Sequence, residues 1–103
     1  MPGISVREAI RKWEQKTGIA PNEGLDVNLA CHLPNPIDRL DESINVFLLC
    51  EKLSLATNEI ERLIPMPKLV NLKILSIGRN CLKSLKHIDD VGATLEQLWV
   101  SYN

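Results

Sequence analysis

The stretch Cys50–Ile60 reads CEKLSLATNEI, and Leu72–Leu82 reads LKILSIGRNCL. Laid over one another, they keep L-x-x-L-x-L-x-x-N-x-L, with Cys50 in the place of the first leucine. A third copy, LEQLWVSYN, runs from Leu95 to Asn103. The return halves repeat as well. Ile60, Leu63, Met66, Leu69 and Leu72 match Leu82, Leu85, Ile88, Val91 and Leu95, with one extra residue near Gly92.

Asn58, Asn80 and Asn103 recur at steps of about 22 residues, inside the range of leucine-rich repeats. Each L-x-L core is then a short strand whose two leucines face inward, because side chains alternate along a strand. Successive strands stack as a parallel ladder, and parallel pairing demands a long crossover. Apolar residues at steps of three in the crossover suit short turns of tight or irregular helix. The asparagine sits where the chain leaves the strand and backbone groups lose their ladder partners. Its amide both donates and accepts, so it can bond backbone groups of its own and neighbouring turns.

Upstream, VNLACHLPNPIDRL reads as a degenerate opening turn, with Val27 and Leu29 as its strand pair. Pro34 and Pro36 exclude a helix between them. Asp41 is positioned as the N-cap of a short helix through ESINVFLL. Before this lies SVREAIRKWEQKTG, a helix near residues 5–17. Ser5 and Glu8 form a capping box, Gly18 supplies the stop, and Val6, Ile10 and Trp13 share one face. That face is expected to cover the open first end of the ladder. The chain therefore reads as α/β, a leucine-rich-repeat solenoid with a parallel β-ladder, a convex side of short helical or 3-10 turns and an N-terminal capping helix. Its divisions are a capping helix over 1–20, a degenerate opening repeat over 21–49, and repeats over 50–103, the third incomplete.

Composition fits one domain with a modest core: 103 residues, 45% hydrophobic and 24% charged. Twelve Lys and Arg against 13 acids give a formal charge of -1. That balance argues against nucleic acid, which needs a basic excess, and against attraction to an anionic membrane. No apolar run approaches membrane-spanning length and the start lacks a signal-peptide core, so an intracellular protein is expected. Cys31, Cys50 and Cys81 form no Cys-x-x-Cys pair and read as free thiols. No catalytic set assembles. His32 and His87 lie far apart without ligands at metal spacing, Asp89–Asp90 reads as a solvated turn, and Gly78 opens no phosphate loop. No metal, cofactor or enzymatic activity is expected; the chain reads as a binding module.

If the leucines face in, the positions between them line the concave sheet face. These are Lys52, Ser54 and Ala56, then Ile74, Ser76 and Arg79, then Gln97, Trp99, Ser101 and Tyr102, with Asn28 extending the row upstream. Small residues at Ser54, Ala56, Ser76 and Gly78 leave a floor, from which Ile74, Arg79, Trp99 and Tyr102 rise as anchors. Trp, Tyr and Arg are the types enriched at binding hot spots, and concave solenoid faces commonly bind partners. The plainer alternative is that Trp99 only packs on Ile74 across the ladder, but exposed Trp beside exposed Ile makes an apolar patch.

REAIRKWEQKTG, PIDRLDESI, CEKLSLATNEIERL, LKILSIGRN and VGATLEQLWVSYN together resemble the leucine-rich-repeat light chains of axonemal outer-arm dynein over nearly the whole sequence. The resemblance implies a protein of the cytoplasm, cytoskeleton and ciliary or flagellar axoneme. It implies binding to an outer-arm dynein heavy chain in its motor region, at the microtubule-binding tip of the stalk, where tubulin also lies within reach. Docking through the sheet face would fall to Trp99, Ile74, Ser76 and Arg79. Members of that family continue for further repeats and end in a helical segment, so the sequence reads as truncated at its C-terminal end. The strand at 97–100 would then be an open edge suited to self-association. The runner-up is a leucine-rich-repeat regulatory subunit, such as that of a protein phosphatase, or a scaffold.

Overall fold

The first leucine of each L-x-L core centres a three-residue strand. In the computed structural model, which describes residues 3–32 and 34–103, the strands Asp26–Asn28 (β2), Lys52–Ser54 (β4), Ile74–Ser76 (β5) and Gln97–Trp99 (β6) make one sheet in the order β2-β4-β5-β6. All three pairings are parallel and in register, so Val27, Leu53, Leu75 and Leu98 form one column. Leu53, Leu55, Leu75 and Ile77 are buried, as are Val27 and Leu29 of the degenerate first turn. Each such burial contributes roughly 1.5–3 kcal/mol. The return side Ile60, Leu63, Met66, Leu69 and Leu72 is buried along its whole length. Leu98 is 38% exposed, because β6 is the last strand of the order.

The asparagines stitch the turns together. Asn58 Nδ2 donates to the carbonyls of Leu29 and Leu55, both at 3.0 Å, while its Oδ1 accepts from Ile37 N–H at 2.9 Å. Asn80 does the same one turn on, donating to Leu55 and Ile77 at 3.0 Å and accepting from Ile60 N–H at 3.0 Å. Asn103 donates to Ile77 at 3.1 Å and Val100 at 2.7 Å, and accepts from Leu82 N–H at 3.1 Å. Each amide thus joins its own turn to the one before it. Asn58 and Asn80 are buried, so these bonds satisfy groups that burial would otherwise make costly.

The residue before each asparagine carries the bend. Thr57, Arg79 and Tyr102 have φ of 58°, 55° and 65°, and Cys31 holds the equivalent place in the first turn with φ 49°. One left-handed residue swings the next side chain off the strand line and into the body of the molecule.

The N-terminal helix, α1, spans Val6–Thr17. Ser5 Oγ accepts from Glu8 N–H at 3.4 Å, and Gly18, at φ 74°, donates its N–H to Glu14 O at 2.8 Å. The helix buries Val6, Ala9, Ile10 and Trp13. Trp13 meets the edge of Phe47 with ring centroids 5.8 Å apart at 89°. Gly24 lets it in: a Cβ there would stand 3.0 Å from both Trp13 and Val27. The helix therefore lies against the β2 end of the ladder.

The structure differs from the sequence reading in the irregular parts. Ile4–Ser5 (β1) pairs with Ile37–Arg39 (β3) in a separate parallel pair, anchored by Ile4 N–H to Pro36 O at 2.9 Å. Ile37 still holds the place of Ile60 one turn on, its N–H bonding Asn58 Oδ1 as the Ile60 N–H bonds Asn80 Oδ1, but here the chain continues as a strand. Asp41 does cap the next element, accepting from Ser43 N–H at 2.8 Å, but that element is a 3-10 turn over Glu42–Val46. Asp89 opens a four-residue helix, α2 (Asp89–Gly92), where a solvated turn was expected. An acidic residue suits a helix start, and the extra residue near Gly92 gives this crossover the length for a full turn. Leu85 is exposed, unlike its counterpart Leu63.

Candidate partner-binding face

The ladder register sets side chains in columns across the sheet face opposite the core. Lys52 stands beside Ile74, and Ile74 beside Gln97. The next column holds Asn28, Ser54, Ser76 and Trp99. Trp99 is 58% exposed at the end of a row of small polar residues, and its Nε1–H donates to Gln97 Oε1 at 3.3 Å. That bond steadies the indole in a position the core does not constrain. Trp99 is directly opposite Ser76, not Ile74, so its neighbour on the ladder gives it little apolar cover.

A second set lies past the strand ends. Tyr102 is 77% exposed, and the guanidinium carbon of Arg79 sits 4.8 Å from its ring centroid. The left-handed backbone at both positions places them on corresponding turns. Gly78 allows the close approach: a Cβ there would come 2.9 Å from Ser101 O, the same carbonyl that accepts from Arg79 N–H at 2.9 Å. The fold therefore places Lys52, Ser54, Ile74, Ser76, Gln97 and Trp99 in adjoining columns, with Arg79 and Tyr102 paired beyond them. The sequence offered one unused signal for that pair: both residues immediately precede the recurrent asparagine.

This face offers an indole, a phenol, a cation and an aliphatic side chain over a floor of hydroxyls, which suits contact with another protein surface. Elsewhere, Cys31 and Cys81 are exposed thiols, whereas burial pushes the Cys50 thiol up from 9.0 to about 11. Among the described residues, no group of three or more His, Cys, Asp or Glu could hold a metal ion. No described helix is long and apolar enough to cross a membrane.

No protein-family model matches the chain. Whole sequences do. The chain is 48% identical over 95 residues, 92% of its length, to dynein axonemal light chain 1 of Danio rerio. Over these residues it is a relative of dynein axonemal light chain 1. The human protein of that name is 46% identical over 93 residues, and that of Chlamydomonas reinhardtii 37% over 97. The chain spans about half the length of these relatives: 49% of the fish protein and 48% of the human and algal ones. Similarity to dynein axonemal light chain 1 in both an alga and vertebrates ties the chain to the axoneme of cilia and flagella, within the cytoskeleton.

Proposed function

We propose that the chain is a non-catalytic light-chain subunit of an axonemal dynein that docks a heavy chain through the sheet face carrying Trp99. The observation that carries this reading is the 58% exposure of Trp99 at the end of the Asn28–Ser54–Ser76 row, in a chain whose relatives are named as dynein light chains. Burying an exposed indole against a partner is the gain that a binding hot spot exploits. Ile74 extends the apolar contact, and Arg79 with Tyr102 supplies a planar cation and an aromatic edge for polar groups at its rim. On this reading the ladder is a leucine-rich-repeat solenoid, α1 is its cap, and the subunit acts by tuning motility from a site on the motor region. Affinity capture from ciliary extract, with bound proteins identified by mass spectrometry, tests it. Enrichment of a dynein heavy chain by the wild-type chain, and not by Trp99→Ala, is expected. Equal recovery with both baits, or none with either, overturns the reading.

A further inference from the structure

We propose that the cleft between α1 and the outer edge of β2 takes up an extended acidic peptide by strand addition, at a site separate from the Trp99 face. The backbone pattern supplies the first half of the argument. Leu29 and Cys31 donate their N–H groups to Ser54 O at 2.8 Å and Ala56 O at 2.9 Å on the β4 side. Alternate residues of a parallel strand address opposite neighbours, so Asn28 and Ala30 direct their backbone groups the other way. β2 is terminal in the sheet order, and no described strand pairs with that edge. Ala30 N–H is held by Asn28 Oδ1 at 2.9 Å. Among the described residues the Asn28 N–H and C=O and the Ala30 C=O have no partner across this edge, which leaves them for an added strand, the mode by which sheet edges capture extended peptides.

Charge supplies the second half. The cleft has a volume of about 410 Å³, with Ala9 and Trp13 on one wall and Asn28 and Ala30 on the other. Lys12 and Lys16, one helical turn apart, line it together with His32, and no acidic residue does. Both lysines are exposed, and neither enters an ion pair among the described residues. A peptide lying along β2 projects alternate side chains toward the helix, and carboxylates at that spacing meet the two ammonium groups. The site is three strands away from Trp99 in the sheet order and shares with the Trp99 row only Asn28, whose backbone it would use.

The test is a titration of the isotopically labelled full chain with a synthetic octapeptide alternating Val and Glu, followed by amide NMR. Shifts centred on Asn28 and Ala30, with weaker ones at Lys12 and Lys16, are expected. The double variant Lys12→Glu/Lys16→Glu should bind about tenfold more weakly, whereas Trp99→Ala should bind as wild type does. A Val/Lys octapeptide should leave the spectrum unchanged. Absence of shifts at Asn28 and Ala30 up to millimolar peptide overturns the proposal. So does polyphosphate reproducing the peptide's shifts, which would reduce the site to a simple anion patch.

Discussion

The guanidinium carbon of Arg79 lies 4.8 Å from the ring centroid of Tyr102, and both residues hold left-handed backbone at φ 55° and 65°. The same backbone state at Thr57 and Cys31 makes it a property of the turn rather than of any one side chain. An L residue there carries roughly 1–2 kcal/mol of strain, and a β-branched one is worst placed.

Thr57 is therefore the position where strain is most easily removed. Thr57→Asn should raise stability by about 0.5–1 kcal/mol, because asparagine visits left-handed backbone more readily and Thr57 is exposed. Chemical denaturation of the two proteins measures it, and an unchanged or lower midpoint would count against a strained turn.

The asparagines should differ in value although their hydrogen bonds match. Asn80→Ala leaves the buried Ile60 N–H without its partner and removes one of two amide donors from the Leu55 and Ile77 carbonyls, which keep Asn58 and Asn103, at a cost of about 2–3 kcal/mol. Asn103 makes equivalent bonds in an exposed position, where water can replace them, so Asn103→Ala should cost about 1 kcal/mol. Thermal unfolding ranks the two, and equal losses would contradict the stacking account.

This contrast also marks how far the sequence could be read. The ladder was legible because its leucines alternate with period two and its asparagines recur at fixed steps, and both signals survive into the parallel registers of β4, β5 and β6. The β1–β3 pair was not. It is set by a two-residue contact in which Ser5 also serves as helix cap, and no periodic pattern can reveal so short a strand. On the candidate face, residues between the inward leucines could be placed by parity alone. The Arg79–Tyr102 contact depends on a backbone reversal that side-chain alternation does not predict.

Cys50 makes stability depend on alkaline pH. Its thiol is raised from 9.0 to about 11, first by burial, so the folded state holds its proton where the unfolded chain would release it. That contribution is fully present below about pH 9 and is lost as pH rises through about 11. Cys50→Ala should show a shallower decline in unfolding free energy over this window than wild type. Parallel declines would exclude Cys50 as the cause. With a thiol reagent at neutral pH, Cys31 and Cys81 should react at once and Cys50 only on unfolding.

The helix α1 should matter to the whole fold. Trp13 is buried against Phe47 and Gly24, so Trp13→Ala should cost about 3–5 kcal/mol. Lys12→Ala, exposed on the same helix, serves as the control and should change little. Similar melting temperatures for the two variants would mean that the helix does not support the ladder.

Isothermal titration calorimetry of a dynein heavy-chain motor fragment against wild type and Trp99→Ala tests the docking face most directly, with circular dichroism confirming that both are folded. Loss of about 2 kcal/mol or more of binding energy, about thirtyfold in Kd, is the expected result for the variant. Equal affinity of the two folded proteins for the motor fragment would contradict docking through Trp99.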